Sequence, residues 1–208
     1  MLLAGLAHAK PAPPCDRCVL EAPAKTDHEV PMLVVLHGDH EHATDAAARW
    51  RAAAKASGWV LLALEVPKGD SWWQWNGDAE WVIARADKVI ADANVDRNRV
   101  YLAGWSGGAT YIGDHVQAWE PVFAGLVIHG GGRAPADGAC VKRLPAFFLV
   151  GDRNPLHRLA VALRKYLEGC QQEIVWDLVE HGAHEAERQA LTKKKAMAIL
   201  AWLTREKR

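Results

Sequence analysis

The chain carries no excess charge of either sign: 25 Lys+Arg balance 25 Asp+Glu, for a formal net charge of +0. Such a surface offers no electrostatic footprint for nucleic acid or an anionic membrane. Although 50% of the residues are hydrophobic, no uninterrupted apolar run approaches the roughly 20 residues of a membrane helix, so no transmembrane segment is expected. Phenylalanine and tyrosine are scarce, at 3 each, whereas tryptophan occurs 10 times; indoles therefore carry most of the aromatic area for core or binding surface. No internal repeat is visible, and no insertion is long enough for a separate cap domain. The 208 residues suit one domain with a substantial core. Oligomeric state is not encoded in any feature of the sequence.

The 4 cysteines are Cys15, Cys18, Cys140 and Cys170, an even set that suits export and disulfides and allows three pairings. Cys15-x-x-Cys18 has no second C-x-x-C to complete a zinc site. It also lies in a Pro-rich segment rather than at a helix start, which argues against thioredoxin-like chemistry. No metal and no cofactor is expected. Ala7-His8-Ala9 fits a small-x-small export cleavage pattern, but the apolar stretch before it is short and lacks a basic flank. Two readings stand: the tail of a signal peptide, implying a secreted or periplasmic protein, or an alanine-rich start of a cytoplasmic one. Residues 10–14 read as an extended linker. The organisation expected is an N-terminal region over 1–30, with a short edge strand near Cys18 to Glu21, and a main domain over 31–208.

Apolar runs of strand length occur at 32–36, 60–64, 100–104, 124–128 and 146–150. They show no alternation, as in parallel strands buried on both faces. Residues 174–179 alternate more and suit an edge. Helices are expected over 44–57, capped by Thr44 or Asp45, and over 79–93, 107–119, about 156–168 and 185–204. Residues 94–99 read as a loop. Strand and helix alternating in this way predict an open, mostly parallel α/β sheet with helices on both faces. Cys140 and Cys170 then both fall at one end of that sheet.

The other end, at the carboxyl termini of the strands, is where open α/β sheets place their chemistry. Gly104-Trp105-Ser106-Gly107-Gly108 joins a strand to a helix, and small residues flank the serine as a tight nucleophile turn requires. Asp152 follows the strand at 146–150, and His184 follows the strand at 174–179. A serine, an acid and a histidine in that order, each just past a strand end, form a Ser-Asp-His arrangement. In it Ser106 is the nucleophile, His184 the base and Asp152 the group that orients the base. His181 is the rival histidine; Asn154 and Asp177 are less favoured neighbours of Asp152. The N–H groups of Gly107 and Asp39 are the expected oxyanion donors, although the Asp39 carboxylate would disfavour an oxyanion unless it points away or is paired. Asp39-His40-Glu41-His42 reads as a polar loop rather than a metal site.

The stretch from Asp96 to Gly108 resembles the nucleophile elbow of small esterases. It is similar to the poly(3-hydroxybutyrate) depolymerase-like, feruloyl esterase-like and dienelactone hydrolase-related branches of the α/β-hydrolases. Leu36-His37-Gly38 resembles their oxyanion loop. Val150-Gly151-Asp152 and Gly182-Ala183-His184 resemble their acid and histidine loops. The resemblance covers about residues 31–204 and implies an α/β-hydrolase fold without a large cap domain. It also implies a serine esterase acting on a small-molecule or polymer ester. Dienelactone hydrolase proper uses cysteine, where this chain has Ser106. Substrate contacts are expected from His37, Gly38, Trp105, His129 and the loop bearing Trp72, Trp73 and Trp75. Competing readings are a catalytically silent binding protein of the same fold, and a serine acyltransferase or peptidase using the same three residues.

Overall fold

The computed structural model describes residues 11–23, 27–67, 75 and 77–205. The chain order is β1 (Val19–Glu21), β2 (Val30–Leu36), α1 (Ala43–Ser57), β3 (Val60–Leu64), α2 (Ala79–Asp92), β4 (Val95–Trp105), α3 (Gly107–Asp114), α4 (Val116–Trp119), β5 (Leu126–His129), β6 (Ala146–Gly151), α5 (His157–Gly169), β7 (Ile174–Val179), α6 (His184–Ala190) and α7 (Lys193–Thr204). The strands form one 7-stranded sheet in the order β1-β3-β2-β4-β5-β6-β7. Only β1 runs antiparallel, against β3; the remaining pairs are parallel.

The missing alternation has a direct cause. Successive strand side chains point to opposite faces, and here both faces are covered. Val34, Leu36, Leu62, Leu102, Ile128 and Phe148 pack with α2, α3 and α5. Leu33, Val35, Leu61, Tyr101, Val127 and Phe147 pack with α1 and α7. In α1, Ala43, Ala46, Ala47, Ala53 and Ala54 form the buried stripe around Trp50, so the helix backbone lies close to the sheet. The helix stops at Gly58, whose φ of 71° is left-handed and costs glycine little.

Four elements depart from the sequence expectation. Strand β4 starts at Val95, not at residue 100, because Val95 pairs with Val30 across a bulge before the Met32–Val100 register begins. The polar residues 96–99 thus belong to a strand that overhangs the core. The helix expected over 107–119 is broken at His115 into α3 and α4. The last helix is broken as well: Thr192 accepts a hydrogen bond from Lys195 N–H at 3.2 Å, capping α7 afresh and leaving α6 as a separate helix of about two turns over the strand ends. Helix α1 starts at Ala43 rather than at Thr44, with the Asp45 carboxylate accepting from His42 N–H at 2.9 Å. Among the described residues no helix is long and apolar enough to cross a membrane.

The cysteines pair as Cys15–Cys18 and Cys140–Cys170. The second bridge ties the loop before β6 to the end of α5 across a sequence separation of 30. Closing a loop of that length removes about 3–4 kcal/mol of denatured-state entropy. The double variant Cys140→Ser/Cys170→Ser is therefore expected to lose about that much stability in urea unfolding, and an unchanged midpoint would refute the assignment.

Candidate active site

Ser106 stands between the last residue of β4 and the first of α3, with φ 52° and ψ −112°. A non-glycine residue in this region costs of order 1–3 kcal/mol and persists only when its surroundings hold it there. The holding contacts are Ser106 N–H to His129 carbonyl at 2.9 Å and Thr110 N–H to Ser106 carbonyl at 3.0 Å. The flanking glycines are steric necessities. A Cβ on Gly104 would fall 2.6 Å from the Gly108 backbone, and one on Gly108 would fall 2.6 Å from the His37 carbonyl. The turn thus lifts the Ser106 hydroxyl above the sheet.

His184 opens α6, and its Nε2 lies 2.8 Å from Ser106 Oγ. Its Nδ1 lies 2.9 Å from Glu187 Oε2, three residues along the same helix. Glu187 is fully buried, at 0% exposure. Its Oε1 accepts a hydrogen bond from Gly151 N–H at 2.5 Å, and its Oε2 accepts from Asn154 Nδ2 at 2.6 Å. A carboxylate accepting in this way takes the Nδ1 proton of His184 as its third donor. The Nε2 lone pair is then free to accept from the Ser106 hydroxyl. Trp105 stacks under the His184 ring at 4.4 Å and 8°, which restricts the imidazole plane.

The acid expected from the sequence, Asp152, is not at the histidine. It is exposed, and its nearest basic neighbour is His181, at 3.9 Å. The reason is the turn that follows β6. Arg153 N–H bonds to the Gly182 carbonyl at 3.0 Å and Asn154 N–H to the Gly151 carbonyl at 3.4 Å, so the side chain at 152 faces solvent while that at 154 is buried in the site. Asp177 pairs instead with Lys195. The sequence reading missed Glu187 altogether. Its signal was available as the i,i+3 spacing from His184, which puts two side chains on one helix face.

The expected substrate contacts also need correction. His129 is 2% exposed; its Nε2 donates to the Glu187 carbonyl at 2.8 Å, pinning α6 to β5. Burial pushes its pKa down to about 3. His37 is buried as well, with Nδ1 2.7 Å from the Gly38 carbonyl, and burial lowers its pKa. Trp105 is buried beneath His184. Trp75 belongs to the core: it packs on Tyr111 and donates Nε1–H to the His37 carbonyl at 3.0 Å. Trp72 and Trp73 lie outside the described residues. Gly38 is pressed against Trp105, where a Cβ would meet the indole at 2.7 Å, and its N–H is taken by Glu41 Oε2 at 3.0 Å.

Asp39 lies over the start of α3, so close that a Cβ on Gly107 would come within 2.0 Å of its Oδ1. That oxygen is buried and makes no hydrogen bond among the described residues. In the neighbouring polar loop, Glu41 pairs with Arg49, and His42 Nδ1 lies 3.0 Å from Glu65. Among the described residues no group of His, Cys, Asp and Glu side chains could hold a metal ion.

The buried neutral histidine sets an acid limit on stability. With the folded pKa of His129 depressed from 6.5 to about 3, the unfolded chain binds a proton in this window that the folded chain does not. Stability is thus full above about pH 6.5 and falls by about 1.4 kcal/mol per pH unit as pH drops towards the folded value. His129→Gln keeps a donor for the Glu187 carbonyl but cannot titrate. Urea unfolding at about pH 4 and about pH 6 is expected to show a smaller loss for the variant than for the parent; equal losses would refute the assignment.

No protein-family model matches the chain. Over 94 residues, 43% of its length, the chain is 30% identical to the bifunctional acetylxylan esterase/xylanase XynS20E of Neocallimastix patriciarum, of which this spans 14%. Among solved structures it superposes on a thermostable esterase with a TM-score of 0.71 and 22% identity, covering 89% of this chain and 58% of that one. It superposes on the Bacillus cereus carboxylesterase with a TM-score of 0.62 and 18% identity, covering 89% and 92%. A truncated carbohydrate esterase from gut microbiota gives a TM-score of 0.69 at 12% identity, covering 90% and 89%. The open, mostly parallel 7-stranded sheet and its match to these structures show that the chain has the α/β-hydrolase fold.

Proposed function

We propose that the chain hydrolyses carboxylic esters through an acyl-enzyme on Ser106, with His184 as base and Glu187 as its orienting acid. One observation carries the reading: the continuous relay from Ser106 Oγ to His184 Nε2, at 2.8 Å, and from His184 Nδ1 to Glu187, at 2.9 Å. In the acylation step His184 Nε2 takes the hydroxyl proton while Ser106 Oγ bonds to the ester carbonyl carbon. The negative charge that develops on the carbonyl oxygen is received by backbone N–H groups. Gly107 N–H, at the start of α3, is one donor, and the Asp39 carboxylate that lies against Gly107 has to turn aside when the oxyanion forms. Because the Gly38 N–H is occupied by Glu41, Asp39 N–H is the donor assigned to the facing loop. Collapse of the tetrahedral adduct expels the alcohol, which takes the proton back from His184. Water then repeats the sequence on the acyl-serine, with His184 again as base, and releases the acid.

The substrate class proposed is a small ester or an exposed ester on a polymer. The neighbours named as carboxylesterase and carbohydrate esterase support this reading, as does the partial relative named as an acetylxylan esterase. The two disulfides support an exported location.

A panel of short and long acyl esters, with amides and alcohol acceptors as controls, tests the reaction. A fluorophosphonate label on Ser106 tests the nucleophile. Ser106→Ala is expected to lower kcat by a factor on the order of 10⁴ or more and to abolish labelling. Equal labelling of parent and variant would sink the proposal, and preferential transfer to an added alcohol would redirect it to acyl transfer.

A further inference from the structure

Asn154 stands beside the reacting groups in a way the ester chemistry alone does not demand. It is 6% exposed. Its Oδ1 accepts from Leu156 N–H at 2.8 Å, which decides the orientation of the amide: the oxygen faces its own loop and the nitrogen faces the site. The two N–H bonds of that nitrogen find two acceptors, the Gly130 carbonyl at 3.1 Å and Glu187 Oε2 at 2.6 Å. The same nitrogen lies 3.0 Å from His184 Nδ1. As that atom directs its own proton at Glu187 Oε2, the two nitrogens are donors converging on one oxygen, and the 3.0 Å between them is a packing contact rather than a hydrogen bond. Position 154 is therefore as near to the imidazole as position 187 is, yet only position 187 supplies a carboxylate.

Resting on the reading of Ser106, His184 and Glu187 above, we infer that residues 154 and 187 form a one-charge pair. Asn154 is a positioning residue that holds Glu187 Oε2 on His184 Nδ1. Its neutrality is required because two carboxylates at 2.6 Å could not both ionise. The orienting charge can in consequence be moved from one position to the other without moving the histidine. The exposed Asp152 has no part in this pair: the strand-end turn that sends it to solvent is the turn that brings Asn154 in.

The experiment is a charge swap in the full chain, read by three signals: hydrolysis of 4-nitrophenyl acetate, fluorophosphonate labelling of Ser106, and the low-field proton resonance of the His184 Nδ1–H. Glu187→Gln is expected to lower kcat by about 10³–10⁴-fold and to remove the low-field signal. The double variant Asn154→Asp/Glu187→Gln is expected to recover at least about tenfold in kcat over Glu187→Gln, with the low-field proton restored, since the new carboxylate lies within hydrogen-bond reach of Nδ1. A folded double variant no better than Glu187→Gln on either signal overturns the inference.

Asn154→Ala guards against a double variant that does not fold. It is expected to lower kcat on the order of 10- to 100-fold through a misplaced Glu187, with KM unchanged, and unchanged kcat in a folded Asn154→Ala also overturns the inference. If the parent neither hydrolyses the ester nor takes the label, the esterase reading fails. The low-field proton, which needs no turnover, still decides the pair.

Discussion

The carboxylate of Glu187 is the constraint around which the upper edge of this sheet is built. A group of this kind, removed from water, costs several kcal/mol unless its oxygens are fully hydrogen-bonded. Among the described residues no lysine or arginine pairs with it; it is held by Gly151 N–H at the end of β6, Asn154 in the following turn and His184 on its own helix. Each such bond to a charged acceptor contributes roughly 1.5–3 kcal/mol, and together they offset the burial only if all three are present. The end of β6, the 151–154 turn and α6 are thus mutually dependent. His129 adds a fourth tie by bonding the backbone of the same residue.

The shortage of phenylalanine has a counterpart in how the indoles are used. Several tryptophans sit where an element ends and leaves a carbonyl without a partner. Trp119 donates to the Ile112 carbonyl of α3 at 2.8 Å, close to where that helix breaks. Trp75 donates to the His37 carbonyl, just past β2. An indole fills a gap as a benzyl group does, and its N–H also satisfies a backbone acceptor. The break after α3 and the end of β2 are each closed by such an indole. Trp105, between Gly38 and the His184 ring, fills the remaining space directly under the imidazole.

Much of the scaffold could be read from the chain, because strand length, lack of alternation and the two-glycine elbow are local signals. The Ser106 turn and the strand end before His184 depend on residues adjacent in sequence. The carboxylate that partners His184 did not yield to the same reasoning. Asp152 occupies the sequence position expected of it, but the choice between the side chains at 152 and 154 rests on a turn closed by the Gly182 carbonyl, a contact from a distant loop. The break between α6 and α7 depends on one threonine cap, and a helix-period pattern passes over it. His129 lies at the end of β5 and Trp75 in the stretch between β3 and α2, as expected of pocket residues; that their polar atoms point inwards, at backbone carbonyls, is a matter of packing. The polar residues 96–99 read as a loop because they fall in the bulge between the Val30–Val95 and Met32–Val100 pairs, and the pairing of Val95 with Val30 comes from elsewhere in the chain.

The separate short helix α6 carries both His184 and Glu187. The two side chains are three residues apart, so their mutual geometry is set within one helix. Ser106 comes from a different element, the turn after β4. The contact between Ser106 Oγ and His184 Nε2 is therefore the one place where the relay depends on how two elements are docked, and the ties of Glu187 to Gly151 and of His129 to α6 fix that docking.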